Sequence, residues 1–232
     1  MSDVSETLFN SFRLLWNEPR LFLPKLISTF LSSIWVVGAV SNRLTQVQML
    51  VSLPFILILG VFVSLMVASM VKNRDSENIL TEAFREALNS WKVVISTSLF
   101  FLITSFLLVI PLSIGLIYFI TAGNLYALLA GSSLTLLLML VLSFYSYFLP
   151  ITLLEKKSFL SGFRKSVEGS RKSSRSVIGL TAFSFLLLFM AFLSGEYLQS
   201  LGYAGFIVGR LLTTTVNTYL FVVSPSYYLN QD

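Results

Sequence analysis

Two ionisable side chains lie well inside apolar stretches of this sequence: Glu196 is the only acidic residue, and Arg210 the only basic residue, in such a position. An ionisable group inside a bilayer is costly and therefore marks a function or a partner. Counted from the turn near Gly202, the two residues lie about 9 Å and about 12 Å deep on antiparallel neighbouring helices. The sequence therefore predicts an intramembrane ion pair that locks the last two spans. The alternative is an anion or headgroup site built on Arg210.

The last apolar segment also carries several polar side chains near mid-membrane, where they should face protein or water and not lipid. One interpretation is hydrogen bonding between helices, with Gly205 and Gly209 forming a face suited to close packing. The other is a polar path for a solute beside this helix. The polar residues are Thr213, Thr214, Thr215, Asn217 and Thr218.

A strongly basic connection separates the fourth and fifth apolar segments. Seven basic residues stand against Glu155 and Glu168, a local net charge of +5. Such a cluster beside a span attracts anionic lipid at about 1 kcal/mol per basic residue, although it also serves to orient the chain. Nucleic-acid binding is disfavoured because aromatic residues are not interleaved with the basic ones and no folded domain would present bases. The basic residues are Lys156, Lys157, Arg164, Lys165, Arg171, Lys172 and Arg175.

No set of residues in the sequence resembles a catalytic site. Histidine and cysteine are both absent, which excludes histidine proton relays, thiol chemistry and the usual zinc sites. The carboxylates are dispersed over amphipathic segments, and no glycine-rich phosphate loop follows a strand. We therefore predict a protein that is not an enzyme and holds no metal or cofactor.

The composition indicates an integral membrane protein. Of 232 residues, 55% are hydrophobic and 12% are charged, whereas globular domains carry about 25% charged residues. Each apolar segment reaches the roughly 20 residues that a helix needs to cross a hydrocarbon core of about 30 Å. We expect an all-α polytopic protein with six transmembrane helices in a single membrane domain, residues 1–232. The six segments are 21–40, 49–71, 93–121, 125–153, 177–199 and 204–228.

The basic residues also predict the orientation. Fourteen of the sixteen fall on the side that holds both termini and the two long connections. Only Arg43 lies in a loop on the other side, while Arg210 is inside the sixth segment. By the positive-inside rule, both termini are predicted to be cytoplasmic. Lys25, just inside the first segment, is expected to extend its ammonium group to the cytoplasmic interface.

Short amphipathic stretches precede the first, third and fifth segments, and each contains one Phe-Arg pair. These pairs are 72 and 79 residues apart, which predicts three repeats of a cytoplasmic surface helix followed by two spans. Because each unit has an even number of spans, the repeats would be parallel, about an axis along the membrane normal. Alternatively, amphipathic helices are common in the cytoplasmic connections of any multi-pass protein. The predicted units are 2–71, 75–154 and 155–229, and the pairs are Phe12-Arg13, Phe84-Arg85 and Phe163-Arg164.

The run NEPRLFLP, Asn17 to Pro24, follows the first amphipathic stretch and precedes the paired spans. In this arrangement the chain resembles the membrane domain attached to some glycerophosphodiester phosphodiesterases, and related prokaryotic membrane families of unknown function. The resemblance implies a six-helix plasma-membrane protein without an established activity for the membrane part. The sequence contains no counterpart of the phosphodiesterase catalytic domain, so no catalytic residues carry over.

Together these observations predict a non-enzymatic multi-pass membrane protein. Its cytoplasmic amphipathic helices would engage anionic lipid, a protein partner or a second copy of the chain, in membrane organisation or as a subunit of an assembly. The alternative is a small-solute permease or channel with a path beside the sixth span.

Overall fold

The computed structural model describes residues 4–41 and 43–230, and all regular structure in these ranges is helical. A 3₁₀ turn, Pro19–Phe22, leads into α2. The helices are α1 (Val4–Asn17), α2 (Leu23–Val40), α3 (Gln46–Lys72), α4 (Ile79–Asn89), α5 (Trp91–Ala122), α6 (Leu125–Tyr145), α7 (Leu149–Lys156), α8 (Phe159–Lys172), α9 (Ser174–Gln199) and α10 (Tyr203–Leu229).

Six of these helical stretches are long and apolar enough to cross a bilayer, so the predicted class, all-α and multi-pass, is confirmed. The spans are α2 together with its 3₁₀ turn, α3, α5, α6, α9 and α10. Their own leucine, isoleucine, valine and phenylalanine side chains are distributed around the helix axis, which is the pattern of a helix in contact with lipid over much of its surface.

The fourth span is shorter than the apolar run at 125–153 indicates. Helix α6 ends at Tyr145, and α7 begins again at Leu149 after a turn. Pro150 lies in the first turn of α7, where its missing N–H removes no intrahelical hydrogen bond. The last residues of the run therefore form a separate short helix, α7, in which Leu149 and residues 151–154 are buried.

The best-buried residues lie at one end of the bundle. They come from the C-terminal half of α3, from α7, and from the last turns of α10, and these three helices pack together. The short helices α1, α4 and α8 surround the same end. We call it the basic end because the predicted basic connections lie there. The hydrophobic core of the bundle therefore lies at this end, while the opposite ends of the spans are largely exposed.

Each of the three short helices packs on other helices at the basic end. Helix α4 packs on α3, α8 packs on α7 and the end of α6, and α1 completes the circle on α10. The residue immediately before each Phe-Arg pair is small and buried; these residues are Ser11, Ala83 and Gly162. The same register in all three helices supports the threefold repeat, which stays a prediction.

Candidate functional site

A cluster of polar residues forms where the first and last spans meet. On α2, Lys25, Thr29, Ser32 and Ser33 lie at intervals of three, four and seven residues, and therefore share one face of the helix. That face packs against α10. We call the contact the α2–α10 seam and define it by Lys25, Thr29, Ser32, Ser33, Arg210 and Thr214.

Arg210 is the centre of the seam. Its Nε donates a hydrogen bond to Ser33 Oγ (2.9 Å), and its Nη2 donates to Ser32 Oγ (2.8 Å). Both serine hydroxyls in turn donate to the carbonyl oxygen of Thr29, at 2.7 Å and 3.0 Å. One turn further along α10, Thr214 Oγ1 lies 2.8 Å from Thr29 Oγ1. The guanidinium group is thus held against the first span by a continuous polar network.

Glu196 does not join this network. It is exposed on α9, and none of the ion pairs among residues 4–41 and 43–230 joins it to Arg210. We expected Arg210 to pair with Glu196 on α9 because α9 is next to α10 in the sequence and the two residues lie at similar positions along their helices. The Arg210 side chain instead lies on the face of α10 that packs against α2. The two residues share a depth without forming the predicted ion pair.

Lys25 occupies the other end of the seam. It is half-buried, and its Nζ lies 4.9 Å from the centre of the Phe221 ring on α10, within range of a cation–π interaction. The structure thus gives the Lys25 side chain a contact with α10, and its extension to the cytoplasmic interface stays a prediction. Neither Lys25 nor Arg210 has a carboxylate partner among the described residues.

The other residues of the predicted polar path donate hydrogen bonds to carbonyl groups of α10 itself. Asn217 Nδ2 donates to the carbonyl of Thr213, Thr213 Oγ1 donates to that of Gly209, and Thr218 Oγ1 to that of Thr214. A side chain bonded to its own helix needs no second polar surface. Of the predicted polar path, only Thr214 forms a hydrogen bond with another span.

Gly205 and Gly209 do lie where α10 crosses α9. A Cβ atom on Gly209 would lie 3.3 Å from Gly195 Cα, and one on Gly205 would collide with the carbonyl oxygen of Leu198. Helices approach this closely only where small residues meet. The predicted small-residue face is thus used for packing against α9.

The basic connection forms the end of α7, all of α8 and the start of α9, and Lys165 pairs with a carboxylate on another helix. Lys165 Nζ lies 2.5 Å from Glu155 Oε2 on α7, and the hydroxyl of Tyr228 on α10 donates to the same oxygen (3.0 Å). This hydrogen bonding raises the pKa of Lys165 above its ordinary value. Arg164 pairs with Glu168 in an exposed position, and Arg171 lies over the ring of Tyr145 at 5.7 Å. The remaining basic residues of the set, Lys156, Lys157, Lys172 and Arg175, are exposed.

A polar cavity of about 570 Å³ opens at the basic end, where α3 ends and α5 begins. Four basic residues and two glutamates line it. Glu86 is neutralised by Lys72 (3.6 Å) and hydrogen-bonded by Ser69, so positive charge remains in excess. The charged lining residues are Lys72, Arg85, Lys92, Lys157, Glu82 and Glu86.

The sequence does contain a pattern that indicates the α2–α10 seam, although it is a pattern of several polar residues and not of single charged ones. Lys25, Thr29, Ser32 and Ser33 form a heptad-like polar stripe on an otherwise apolar helix, and Arg210 and Thr214 are one turn apart on another. Matching polar stripes on two spans indicate that the spans face each other. Within the described residues, no group of three or more carboxylates is gathered that could hold a metal ion.

Comparisons with protein-family models, with curated proteins and with solved structures give no match, so the resemblance to the membrane domain of glycerophosphodiester phosphodiesterases stays a prediction.

Proposed function

We propose that this protein is a non-enzymatic organiser of the plasma membrane, with both termini and the basic end in the cytoplasm. Its basic end would hold anionic lipids of the inner leaflet, alone or together with a protein partner or a second copy of the chain. The observation that carries the proposal is the way α1 and α4 are placed: each buries one face against the bundle and leaves a Phe-Arg pair exposed.

The exposed aromatic residues favour contact with a bilayer. Phe12 and Trp16 on α1, and Phe84 and Leu88 on α4, are all about half exposed or more. Arg13 and Arg85 are exposed beside them. An aromatic ring next to a guanidinium group suits the boundary between acyl chains and phosphates, where each finds its preferred surroundings.

The charges supply the preference for anionic lipid. The exposed cations of α8 and its flanking turns and the excess positive charge of the cavity face the same end of the bundle. Each basic residue near an anionic surface contributes about 1 kcal/mol, and the attraction falls off within a Debye length of about 8 Å at physiological salt. Several such residues together are enough to enrich anionic lipid locally.

The permease alternative has less support from the structure. Asn217, Thr213 and Thr218 bond within α10, and α10 packs closely on α9, so these residues do not combine into a continuous polar lining.

The test is lipid selectivity measured with spin-labelled lipids in reconstituted vesicles. The test variant changes Arg164, Arg171, Lys172 and Arg175 to glutamine, and the control variant is Arg43→Gln at the opposite end. We expect the wild type and the control to enrich phosphatidylglycerol over phosphatidylcholine in a salt-dependent way. The test variant should lose most of this enrichment. Full, salt-sensitive enrichment in the test variant would refute the proposal.

A further inference from the structure

The α2–α10 seam holds two cations and, among the described residues, no anion. Among the described residues, the Lys25 ammonium group lies over the ring of Phe221, Arg210 donates its hydrogen bonds to hydroxyl groups, and neither residue forms an ion pair with a carboxylate. Hydroxyl groups solvate a charge but do not neutralise it. An uncompensated charge inside a membrane span is energetically unfavourable, and ionisable residues in such positions usually have a functional role.

The guanidinium group has donors to spare. Arginine carries five N–H donors in a planar fork, and the structure assigns acceptors to one on Nε and one on Nη2. Three donors, including both on Nη1, have no assigned protein acceptor. A planar fork with adjacent free donors matches the geometry of a phosphate or carboxylate oxygen pair.

The seam lies at the edge of the bundle. Helix α2 packs only on α3, α10 and its own 3₁₀ turn to any extent, and Ile27, Phe30 and Ile34 are exposed on its outer surface. Arg210 is half-buried and seven residues beyond the start of α10, which corresponds to about 10 Å along the helix. A group that reaches it from the side must therefore come with acyl chains that fit the bilayer.

From the free donors, the missing counter-ion and the position at the edge, we infer that the α2–α10 seam binds the phosphate group of a phospholipid, with Arg210 as the principal ligand and Lys25 as a second cation about two turns away along α2. Ser32 and Ser33 position the guanidinium group by holding Nε and Nη2. Arg210 lies in the first half of α10, away from the last turns that pack at the basic end, and the inference does not depend on the function proposed for that end.

The experiment measures lipid binding to the delipidated protein in detergent by native mass spectrometry. To remove binding at the basic end, all variants are made in the protein whose Arg164, Arg171, Lys172 and Arg175 are glutamine. The probes are short-chain phosphatidylglycerol, diacylglycerol with the same chains but no phosphate, and inorganic phosphate. The variants are Arg210→Gln, Arg210→Lys and, as a control for charge at similar depth, Glu196→Gln.

We expect phosphatidylglycerol to bind and diacylglycerol not to bind at the same concentration. Arg210→Gln should weaken binding about tenfold or more, since charge-assisted hydrogen bonds are lost. Arg210→Lys should retain part of the affinity, and Glu196→Gln should leave it unchanged. Equal binding of diacylglycerol, undiminished binding by Arg210→Gln, or an Arg210-dependent effect of inorganic phosphate without lipid binding would each overturn the inference.

A second variant covers the case in which Arg210→Gln does not fold. The double variant Ser32→Ala with Ser33→Ala keeps the guanidinium charge but removes the hydroxyl groups that position it. If Arg210 serves as a phosphate ligand, this variant should bind phosphatidylglycerol more weakly than the parent but still more tightly than diacylglycerol. Equal binding of the two lipids by a variant that remains monodisperse would overturn the inference.

Discussion

Arg210 Nε donates a hydrogen bond to Ser33 Oγ at 2.9 Å, so the arginine joins the last span to the first, 177 residues away in the sequence. The two hydrogen bonds to Ser32 and Ser33 are charge-assisted and are worth about 1.5 to 3 kcal/mol each. Placing the charge in the membrane costs about 2.5 to 3.5 kcal/mol near the centre. At about 3 to 6 kcal/mol together, the two hydrogen bonds offset this cost, while three of the five N–H donors of the guanidinium group have no acceptor among the described residues.

A double-mutant cycle separates the partners of Arg210. We predict a coupling free energy of about 0.5 to 3 kcal/mol between Arg210→Gln and the Ser32→Ala/Ser33→Ala pair, because these groups share hydrogen bonds. Between Arg210→Gln and Glu196→Gln we predict additivity within about 0.5 kcal/mol. The measurement is thermal unfolding in detergent, monitored by tryptophan fluorescence. Strong coupling to Glu196 would show that the two spans α9 and α10 are locked by an ion pair after all.

At this site the sequence predicts the spans and the depth of Arg210 along its helix, but not the helix that Arg210 contacts. The number of spans followed from the length of the apolar runs, because a bilayer imposes that length on each helix. The depth of Arg210 was equally accessible, since depth depends only on position along a helix. Its partner was not, because the direction of a side chain around α10 depends on which span packs there. Sequence neighbours suggested α9, whereas the closure of the bundle brings α2 to that face.

At the basic end, Glu155 accepts hydrogen bonds from Lys165 and Tyr228 and so connects α7, α8 and α10. We predict that Glu155→Gln lowers the free energy of unfolding by about 1 kcal/mol, since it removes one charge of a partly buried pair. The matched control is Glu168→Gln, because Glu168 pairs with Arg164 in a fully exposed position and such pairs contribute little. Equal effects of the two substitutions in thermal unfolding would contradict the assigned network.

The same network predicts a pH dependence. The pKa of Lys165 is raised from its ordinary value of 10.5 by the hydrogen bonds with Glu155 and Tyr228. A raised pKa means that the stabilisation is fully present below the unfolded-state value and is lost only as the pH rises through the higher folded-state value. The difference in melting temperature between the wild type and Lys165→Met should therefore stay constant from about pH 6 to about pH 9. A difference that disappears within this range would contradict the assignment.

Close helix contacts at two glycines predict a steric effect. A Cβ atom on Gly131 would collide with the carbonyl oxygen of Pro111, and one on Gly205 with that of Leu198, and a backbone atom cannot yield as a flexible side chain does. We expect Gly131→Ala and Gly205→Ala to cost about 1 to 3 kcal/mol each through forced separation of the paired helices. Gly179, also in a span, has open space around it, and Gly179→Ala should be neutral or stabilise the helix by up to about 1 kcal/mol. Thermal unfolding of the three purified variants is the measurement, and a Gly179→Ala variant as unstable as the others would contradict it.

The absence of cysteine from the chain allows the proposed orientation to be tested without a background. Single cysteines introduced as Ser161→Cys on α8 and Gln199→Cys at the end of α9 lie at opposite ends of the bundle, and both positions are exposed. Because the basic residues gather at the α8 end, the positive-inside rule predicts that a membrane-impermeant maleimide labels Gln199→Cys but not Ser161→Cys in intact cells. Permeabilised cells provide the control, since both variants should then react. Labelling of Ser161→Cys alone in intact cells would place the basic end outside the cell. The basic end could then not bind the anionic lipids of the inner leaflet.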